Sequence, residues 1–399
     1  MDPKTNPFSP GAGAPPPELA GRASVLSQAS IALARIKAGR SERSPLLVGL
    51  RGVGKTVLLN AIDADAKKQG YIAVGVEAQE GRNLPSLLVP YLRKALYQLD
   101  RAAQISEAVK RGLRILKSFT GTARFTQDGE IELGVGIAPE KGVADSGNLD
   151  ADLPDLMEAI GEAAKDRQTA LALIVDEMQY IKEQELGALI SSMHKISQRG
   201  LPVLLIGAGL PQLVGNAGRA KSYSERLFLF PEIGPLDPEA AKEALQGPGK
   251  EQDVEFTSEA LDAICQVTKG YPYFLQEWGY QSWNLAPRSP ITATDVQAAT
   301  LAARKSLDEN FFLVRFDRLT PAEKNYLRAM AEGGAAAQRS GAIARRLGQS
   351  VEQVAGLRGS LIEKGMLYSP KHGDTEFTVP LFDEFMRRKM PRLGHSKKP

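Results

Sequence analysis

Hydrophobic residues along the chain fall into two kinds of run. From residue 46 onward, short and nearly all-apolar runs alternate with stretches in which apolar residues recur at helical spacing. This alternation is typical of a parallel sheet wrapped by helices, because strands buried on both faces need no polar positions. We therefore predict an α/β fold with a parallel sheet flanked by helices. The predicted strands are residues 46–49, 71–76, 171–175, 203–206 and 227–230.

The pattern changes beyond this sheet domain, which we assign to residues 18–234. Residues 235–305 have helical periodicity, with N-cap signals at Asp237 and Thr257, and are predicted to form a helical lid subdomain. In residues 306–390, capping boxes begin at Thr320 and Ser350, and two short strands surround a turn. Three helices followed by a hairpin predict a C-terminal winged helix-turn-helix.

Three segments lack this regular patterning. Residues 1–17 are rich in proline and glycine, which predicts a flexible, extended arm. Residues 119–148 contain "QDG" between two apolar stretches, which predicts a hairpin-like insertion. Residues 391–399 form a basic tail. A long insertion inside a compact domain is often functional, but its role stays open.

Composition restricts the class of protein. With 399 residues, 43% hydrophobic and 24% charged, the chain is expected to fold as two or three globular domains. A single cysteine excludes an internal disulfide and a cysteine-based metal cluster. The apolar runs are all much shorter than the ~18 residues of a membrane span. We therefore expect a cytoplasmic protein with no membrane partner.

A glycine-rich loop follows the first predicted strand. Its residues match G-x-x-x-x-G-K-[ST], with an apolar strand before it and a helical pattern after it. Glycines allow backbone N–H groups to surround phosphate oxygens at a helix N-terminus, the lysine reaches the β- and γ-phosphates, and the threonine hydroxyl serves Mg²⁺. The alternative is a tight turn that binds nothing. The predicted nucleotide-binding residues of this loop are Gly49, Gly52, Val53, Gly54, Lys55, Thr56 and Val57.

A magnesium triphosphate requires carboxylates on a neighbouring strand. The apolar run "LALIV" ends in Asp176 and Glu177, at the sheet edge where the phosphate loop is also expected. We predict that Asp176 binds Mg²⁺ together with Thr56, and that Glu177 is the general base for ATP hydrolysis. The alternative is a solvated strand end. The tip of the next strand, residues 207–209, lacks a polar side chain to contact the γ-phosphate, and Gln212 or Asn216 could substitute.

With these residues in place, the chain resembles the AAA+ superfamily, and within it the prokaryotic ATPases related to origin-recognition initiators and to STAND signalling ATPases. "PPELAGR" looks like the initiators' segment before the first strand, which implies that Arg22 lies near the adenine. "GYPYFLQ" looks like a lid motif, which implies that Pro272 flanks the nucleotide. Initiators tend to have an arginine sensor near here, where this chain has Tyr271, Pro272 and Tyr273. This departure favours the STAND side of the group.

The same resemblance provides a candidate arginine finger. "AKSYSERLFLFPEIGPL" resembles the stretch that carries it, and Arg226 is the matching residue. An arginine directed at a neighbour's γ-phosphate implies a catalytic role and a nucleotide-dependent homo-oligomer. The alternative is an ordinary surface arginine.

Charge is distributed unevenly between the two ends of the chain. Residues 304–399 contain 18 Lys+Arg against 11 Asp+Glu, although the whole chain has a net charge of only +3. This excess favours an anionic partner for the winged helix. The predicted DNA-binding residues are Arg346, Gln353, Arg358 and Lys371. The basic helical stretch 108–119 is either a further binding strip or a solvated face.

Two functions are consistent with these features. The first is an AAA+ ATPase that hydrolyses Mg-ATP, associates with duplex DNA through its winged helix, and acts as an ATP-dependent assembly or remodelling factor. The second is a STAND-type switch that alternates between ATP and ADP, in which the winged helix is structural and the partner is an effector protein.

Overall fold

The computed structural model describes residues 1–11, 19–99, 106–122, 138–371 and 373–393. By their contacts these residues form two compact units. The sheet unit consists of Ser24–Val48 and Leu58–Glu232, and the loop unit consists of Met1–Ala23, Gly49–Val57 and Ile233–Pro399. The short segment Gly49–Val57 therefore packs with the C-terminal half of the chain, although the residues on both sides of it belong to the sheet unit.

A five-stranded parallel sheet is the core of the sheet unit. Its strands are β1 (Ser44–Val48), β2 (Tyr71–Glu77), β3 (Ala170–Asp176), β4 (Val203–Gly209) and β5 (Phe228–Leu229), in the spatial order β2-β3-β4-β1-β5. Every residue of β1 and β4 is buried, as unbroken apolar runs predict for strands covered on both faces. The predicted parallel sheet is confirmed.

The register of the sheet fixes which strand ends share an edge. Val175 of β3 pairs with Gly207 of β4, and Val48 of β1 pairs with Gly209 of β4. Because all of these pairings are parallel, the carboxyl ends of β3, β4 and β1 lie at the same edge. Ligands of open parallel sheets bind at this carboxyl edge, so it is where the candidate site is expected.

Helices bury their apolar sides against the sheet and one another. Residues such as Leu92, Phe119 and Leu156 are fully or almost fully buried in this core. Half of the predicted insertion, residues 123–137, lies outside the described residues, and its first four residues belong to a helix that ends at Thr122. The helices of the sheet unit are α1 (Ala23–Lys37), α2 (Lys55–Lys68), α3 (Leu84–Leu99), α4 (Glu107–Thr122), α5 (Leu149–Asp166), α6 (Glu183–Arg199), α7 (Gln212–Ala220) and α8 (Ser224–Leu227).

The loop unit begins its helical part with the predicted lid. The predicted caps are present, since the side chains of Asp237 and Thr257 accept hydrogen bonds from Ala240 N and Ala260 N. Trp278 and Trp283 are the largest fully buried side chains in the described part of the chain. The lid helices are α9 (Pro238–Lys250), α10 (Ser258–Thr268), α11 (Pro272–Leu285) and α12 (Ala293–Ser306).

The lid continues without a break into the C-terminal part of the loop unit. After α12 the helical run passes through a π-helical segment, Leu307–Phe312, into α13 (Leu313–Asp317). The boundary predicted at residues 305 and 306 therefore falls inside a continuous helical run. Phe312 contacts both Phe274 of the lid and the more C-terminal Phe385, at ring-centroid distances of 6.5 and 5.2 Å. The lid and the C-terminal domain thus share one hydrophobic core.

The C-terminal domain, residues 321–393, has the predicted order of helices and hairpin. The capping boxes at Thr320 with Glu323 and at Ser350 with Gln353 are both formed. The antiparallel sheet has the order β6-β8-β7. The elements are α14 (Pro321–Ala331), β6 (Gln338–Arg339), α15 (Ser340–Leu347), α16 (Val351–Glu363), β7 (Leu367–Tyr368), β8 (Asp374–Phe377) and α17 (Phe382–Lys389).

The first residues of the chain differ from the prediction of an extended, flexible arm. Residues 1–11 lie against α11: Trp283 Nε1 donates to Asp2 O at 2.9 Å, and Asn6 Nδ2 donates to Tyr280 O at 3.1 Å. Phe8 is 2% exposed, and a Cβ on Gly279 would lie only 2.7 Å from its ring. These hydrogen bonds and the burial of Phe8 hold a segment whose composition alone suggests disorder.

Candidate nucleotide-binding site

The phosphate loop has a backbone that only glycine adopts easily. Gly52 and Gly54 have φ values of +83° and +93°. A Cβ on Gly49 would lie 2.1 Å from Ile233 O, so that position excludes any side chain. The loop then enters α2 at Lys55, so its last N–H groups lie at a helix N-terminus. These features are those of a cradle for an anion such as a phosphate.

Lys55 is held over this loop. Its side chain is buried, and Nζ donates hydrogen bonds to Gly49 O at 2.8 Å and Leu50 O at 2.9 Å. A buried ammonium needs such partners, because removal from water disfavours its charged form. The adjacent Thr56 is an exposed residue in the first turn of α2.

The resemblance-based residues Arg22 and Pro272 lie beside the loop. The Arg22 guanidinium donates to Val53 O and Gly234 O, and its burial lowers the pKa while nearby Asp237 opposes that shift. Pro272 is the first residue of α11, and the next residue, Tyr273, donates its backbone N–H to Gly52 O at 3.1 Å. Arg22 and α11 are thus both hydrogen bonded to loop carbonyls.

Asp176 and Glu177 lie at the carboxyl end of β3, within the sheet unit. Glu177 has a left-handed backbone, with φ of 53°, and its N–H donates to Asp176 Oδ1 at 2.7 Å. A short 3-10 turn, Met178–Tyr180, follows. The left-handed turn directs the chain away from the strand immediately after the two acids, so both carboxylates remain at the carboxyl edge of the sheet.

Sequence reasoning missed a third acid at this edge. Glu77 is the last residue of β2 and pairs in register with Asp176. Partial burial, followed by the charges of Asp176 and Glu177, raises the pKa of Glu77. The signal was present, because "YIAVGV" is an apolar strand ending in an acid, just as β3 is. The two adjacent strand ends therefore carry three carboxylates, and their mutual repulsion is one cause of the raised pKa of Glu77.

The predicted strand tip at residues 207–209 is the carboxyl end of β4, and it has no polar side chain. Gly207 and Gly209 have no side chains to offer a phosphate. The proposed substitutes lie just beyond, on α7: Asn216 Oδ1 accepts from Arg219 at 2.7 Å, and Gln212 Oε1 is buried without a hydrogen-bond partner among the described residues. A different glutamine, Gln179, reaches the end of β4, where its Oε1 accepts Leu210 N–H at 3.0 Å.

Arg226 lies at the opposite edge of the sheet. It precedes β5 by two residues, and β5 begins opposite Ser44, the first residue of β1. Arg226 is exposed and lines a cavity of about 200 Å³ together with Arg40 and Arg43. The length of β1, roughly 13 Å at 3.3 Å per residue, separates this amino edge from the carboxyl edge.

The predicted DNA-binding residues are used mainly inside the C-terminal domain. Arg358 of α16 donates to Thr375 Oγ1 at 2.8 Å, Ser369 Oγ at 2.7 Å and Asp374 O at 3.0 Å. Arg346 donates to Ala329 O and Gln338 Oε1. Gln353 caps α16, and Lys371 is exposed beside the turn of the hairpin. Arg358 and Lys371 are neighbours, because the Ser369 hydroxyl that accepts from Arg358 donates to Lys371 O at 2.9 Å.

The exposed face of α16 carries no cation. Its exposed residues are Val351, Glu352, Gln353, Ala355, Gly356, Gly359 and Glu363. A helix that enters the major groove of DNA needs side chains that satisfy phosphates and base edges, whereas this face is small, weakly apolar and acidic. The exposed cations of the domain's described residues lie elsewhere. They are Arg339, Arg345, Arg346, Lys371, Arg388, Lys389 and Arg392.

The C-terminal domain also contacts the phosphate loop directly. Arg51 N, inside the loop, donates to Thr378 O at 3.0 Å. Thr378 is fully buried, and its hydroxyl donates to Gly365 O at 2.6 Å. Both partners belong to the loop unit, so the conformation of the loop is linked through one backbone hydrogen bond to the hairpin of the C-terminal domain.

Comparison with known proteins identifies the fold around this loop. Residues 18–206 match the family described as an AAA ATPase domain. Residues 18–206 of this chain are therefore similar to AAA ATPase domains. The resemblance to AAA+ ATPases that the sequence motifs predicted is confirmed. Residues 309–386 match a family described as a domain of unknown function.

Individual relatives of the AAA ATPase domain and its C-terminal extension are distant. An uncharacterised HTH-type transcriptional regulator of Methanocaldococcus jannaschii is 23% identical over 343 residues, which covers 83% of this chain and 79% of that protein. A Walker-type ATPase of Pyrococcus abyssi has a TM-score of 0.55 at 16% identity, covering 92% of this chain and 96% of that chain. The Orc1 protein of Aeropyrum pernix, solved in complex with DNA, has a TM-score of 0.46 at 16% identity and covers 94% of each chain.

The described residues contain neither a membrane-spanning helix nor a metal-binding cluster of side chains. Among them, none of the helices is long and apolar enough to cross a membrane. The same part of the chain contains no group of three or more His, Cys, Asp or Glu side chains arranged to hold a metal ion by themselves. Mg²⁺ at phosphate sites does not need such a group, because one or two protein oxygens, phosphates and waters complete its shell.

Proposed function

We propose that this chain binds Mg-ATP at its phosphate loop and hydrolyses it. The observation that carries the proposal is the loop itself: two glycines at positive φ, a third position where a Cβ is impossible, and a buried lysine at the start of a helix. The packing of a sheet does not require this combination. Binding of a phosphate requires it, because a phosphate needs N–H donors at close range and a cation.

The assigned roles follow from side-chain chemistry. Lys55 would move from its loop carbonyls to the β- and γ-phosphates, and Thr56 with Asp176 would supply the oxygen ligands that Mg²⁺ prefers. The bound ion would neutralise charge on those phosphates. Glu177 would accept the proton of the attacking water. Arg22 and Pro272, beside the loop in the loop unit, would contact the nucleotide from the lid side.

Hydrolysis would depend on assembly through Arg226. The supporting observation is its position at the amino edge of the sheet, about one strand length from the carboxyl edge where the loop begins. From there its guanidinium is suited to the nucleotide of another copy of the chain. A nucleotide-dependent homo-oligomer is therefore part of the proposal.

The conformation of the C-terminal domain would depend on which nucleotide is bound at the phosphate loop. Arg51 N–H donates to Thr378 O. A rearrangement of the loop around a phosphate would therefore alter the position of the hairpin of the C-terminal domain or break this hydrogen bond. This contact supports a nucleotide-controlled switch, in which the C-terminal domain and an effector protein respond to exchange of ATP for ADP.

The test of the proposed ATPase is a pair of measurements on Glu177→Gln. We expect this variant to bind Mg-ATP within about threefold of the wild type and to lose turnover by 10² to 10⁴, the range for removal of a general base. Glu183→Gln, at an exposed acid on α6, is the matched control and should hydrolyse ATP normally. Full turnover by Glu177→Gln would refute the role of Glu177.

Association with DNA is a second candidate function, supported by the charge excess of residues 304–399 and by the HTH-type regulator among the relatives. In this proposal the contact uses the exposed cations Arg339, Arg345 and Lys371 and mostly phosphates, rather than α16 in the major groove. A gel shift with duplex DNA at several salt concentrations tests it. Absence of binding at about 50 mM salt in both ATP and ADP would rule it out.

A further inference from the structure

The glutamine after the acidic pair joins two parts of the carboxyl edge. Gln179 lies in the 3-10 turn that follows β3, and it is half-buried. Its Nε2 donates a hydrogen bond to Glu177 Oε2, and its Oε1 accepts Leu210 N–H at 3.0 Å. One carboxamide therefore bonds both to the carboxylate assigned as the general base and to the first residue after β4.

The turn that presents Gln179 is anchored by close packing. Met178 is fully buried, and a Cβ on Gly207 of β4 would lie 2.1 Å from its sulfur. A Cβ on Gly209 would lie 3.1 Å from Gln179 Oε1. Gly207 and Gly209, which give the β4 tip no side chains, thus leave space for the side chains of Met178 and Gln179. The polar group at this tip comes from β3 rather than from β4.

The orientation of this carboxamide is determined by its surroundings. Leu210 N–H is a donor and needs the oxygen end of the amide, so the NH₂ end faces Glu177. An NH₂ group can only donate, and a carboxylate is its complementary acceptor. The arrangement therefore fixes one oxygen of Glu177 relative to the end of β4, and the position of the general base depends on a strand that carries no catalytic side chain.

We propose that Gln179 is a positioning residue for Glu177, because it connects the general base to the tip of β4. In this chain the tip of β4 has no polar side chain of its own. The proposal rests on the proposed ATPase function. It assigns Gln179 no contact with nucleotide or metal. Its effect should therefore appear in the rate of the chemical step and leave nucleotide binding intact.

Two substitutions at this position separate positioning from simple structural support. Gln179→Ala removes both hydrogen bonds. Gln179→Glu keeps an oxygen for Leu210 N–H but, being ionised at neutral pH, cannot donate to Glu177 and repels it. We expect both variants to lower kcat at least tenfold, while the KM and the Kd for Mg-ATP stay within about twofold of wild type. Gln198→Ala, at an exposed glutamine on α6, is the control and should match wild type.

A double variant adds a readout that a structural role would not give. If Gln179 acts only through Glu177, then Gln179→Ala in a Glu177→Gln background should change the residual rate by less than about twofold. A further tenfold loss, or weaker ATP binding, would show that Gln179 acts on the phosphates directly and would overturn the proposal. Wild-type kcat in Gln179→Glu would show that the Leu210 contact alone matters, and would also overturn it.

Failure of this inference is distinguishable from failure of the proposed function. Loss of turnover in Glu177→Gln together with normal turnover in both Gln179 variants would refute only the positioning role. Full turnover in Glu177→Gln would refute the base assignment and the positioning role together. Gln212→Ala provides the competing assignment: if it lowers kcat tenfold while the Gln179 variants do not, the polar group of the β4 tip is Gln212.

Discussion

The phosphate loop and α16 are both short segments that the sequence marks as binding elements, and the structure uses them in opposite ways. In the loop, the proposed binding groups are backbone N–H groups, and side chains are excluded at Gly49 and disfavoured at Gly52 and Gly54. In α16, binding to DNA would depend on side chains, and Arg358, its predicted contact, is bonded three times to the hairpin of its own domain.

The difference teaches where sequence motifs are reliable. A glycine at a fixed spacing specifies a backbone conformation, and the backbone conformation is itself the binding site. A cation on a helix specifies nothing until its neighbours in space are known, because a carbonyl or hydroxyl of the same domain competes with an external phosphate. Motif-based inference is therefore stronger for the nucleotide than for DNA.

The largest expected effect tests the loop side of this comparison. Lys55→Ala should weaken Mg-ATP binding by at least about a hundredfold, because it removes charge-assisted hydrogen bonds to phosphates worth about 1.5–3 kcal/mol each. Calorimetric titration with ATP measures it, and Lys68→Ala at the exposed end of the same helix is the control. Retention of normal ATP affinity by Lys55→Ala would mean that the loop does not hold the phosphates.

The next effect tests whether cations near α16 stabilise the fold. Glu323 is 2% exposed, and burial would raise its pKa, but hydrogen bonds from Lys364, Thr320 and Ser360 lower it to about 2. Because the folded pKa lies below the unfolded value of about 4.5, this carboxylate stabilises the folded state above pH 4.5 and loses that contribution as the pH falls toward 2.

Glu323→Gln should therefore lower the free energy of unfolding at pH 7 by about 3 kcal/mol, and the difference from wild type should shrink as the pH falls from 4.5 toward 2. Urea unfolding followed by tryptophan fluorescence measures it, since Trp278 and Trp283 both lie in the loop unit. Glu363→Gln, at an exposed acid of α16, is the control. A difference that does not depend on pH would contradict the ion-pair account.

A smaller effect is expected at Arg358. Replacement by alanine leaves the buried Thr375 hydroxyl without its Arg358 donor and should lower the free energy of unfolding by about 1–3 kcal/mol. At a temperature where the variant remains folded, its affinity for duplex DNA should match wild type. Lys389→Ala, at an exposed lysine of α17, is the control for stability. Loss of DNA affinity without loss of stability would restore Arg358 as a DNA contact.

The smallest effect tests the exposed cations. Arg345→Gln with Lys371→Gln should weaken DNA binding about tenfold at low salt and lower the slope of log K against log salt by about 2, one unit for each phosphate contact. Neutralisation of Lys68 and Arg82, which are exposed on the sheet unit, should change the slope little. An unchanged slope in the Arg345 and Lys371 variant would place any DNA contact elsewhere.

Local patterns predicted much of the fold. All five strands were expected within a few residues, and the capping boxes at Thr320 and Ser350 were read directly from the chain. These features depend on residues near one another in sequence. The docking of residues 1–11 depends on Phe8 meeting Gly279, a pairing that no local pattern contains, so the segment was interpreted as an extended arm.

The candidate site likewise contains groups that local sequence predicts and groups that only the fold brings together. The loop residues and the acids of β3 follow from short motifs, whereas the role of Gln179 depends on a neighbour 31 residues away, Leu210. Glu77 was visible as an acid at the end of an apolar strand, but its proximity to Asp176 requires the order of strands in the sheet. Sequence alone predicts the groups proposed to bind the phosphates, and the fold is needed to propose the group that orients the base.

The central claim is that backbone N–H groups of residues 49–57 hold a triphosphate, and amide hydrogen exchange of that loop tests it most directly. Exchange should be measured with saturating Mg-ATP and without nucleotide, in wild type and in Lys55→Ala. The account predicts at least tenfold slower exchange at Gly54, Lys55 and Thr56 in wild type with ATP, and no change in Lys55→Ala. ATP binding that leaves exchange at these three amides unaltered would contradict it.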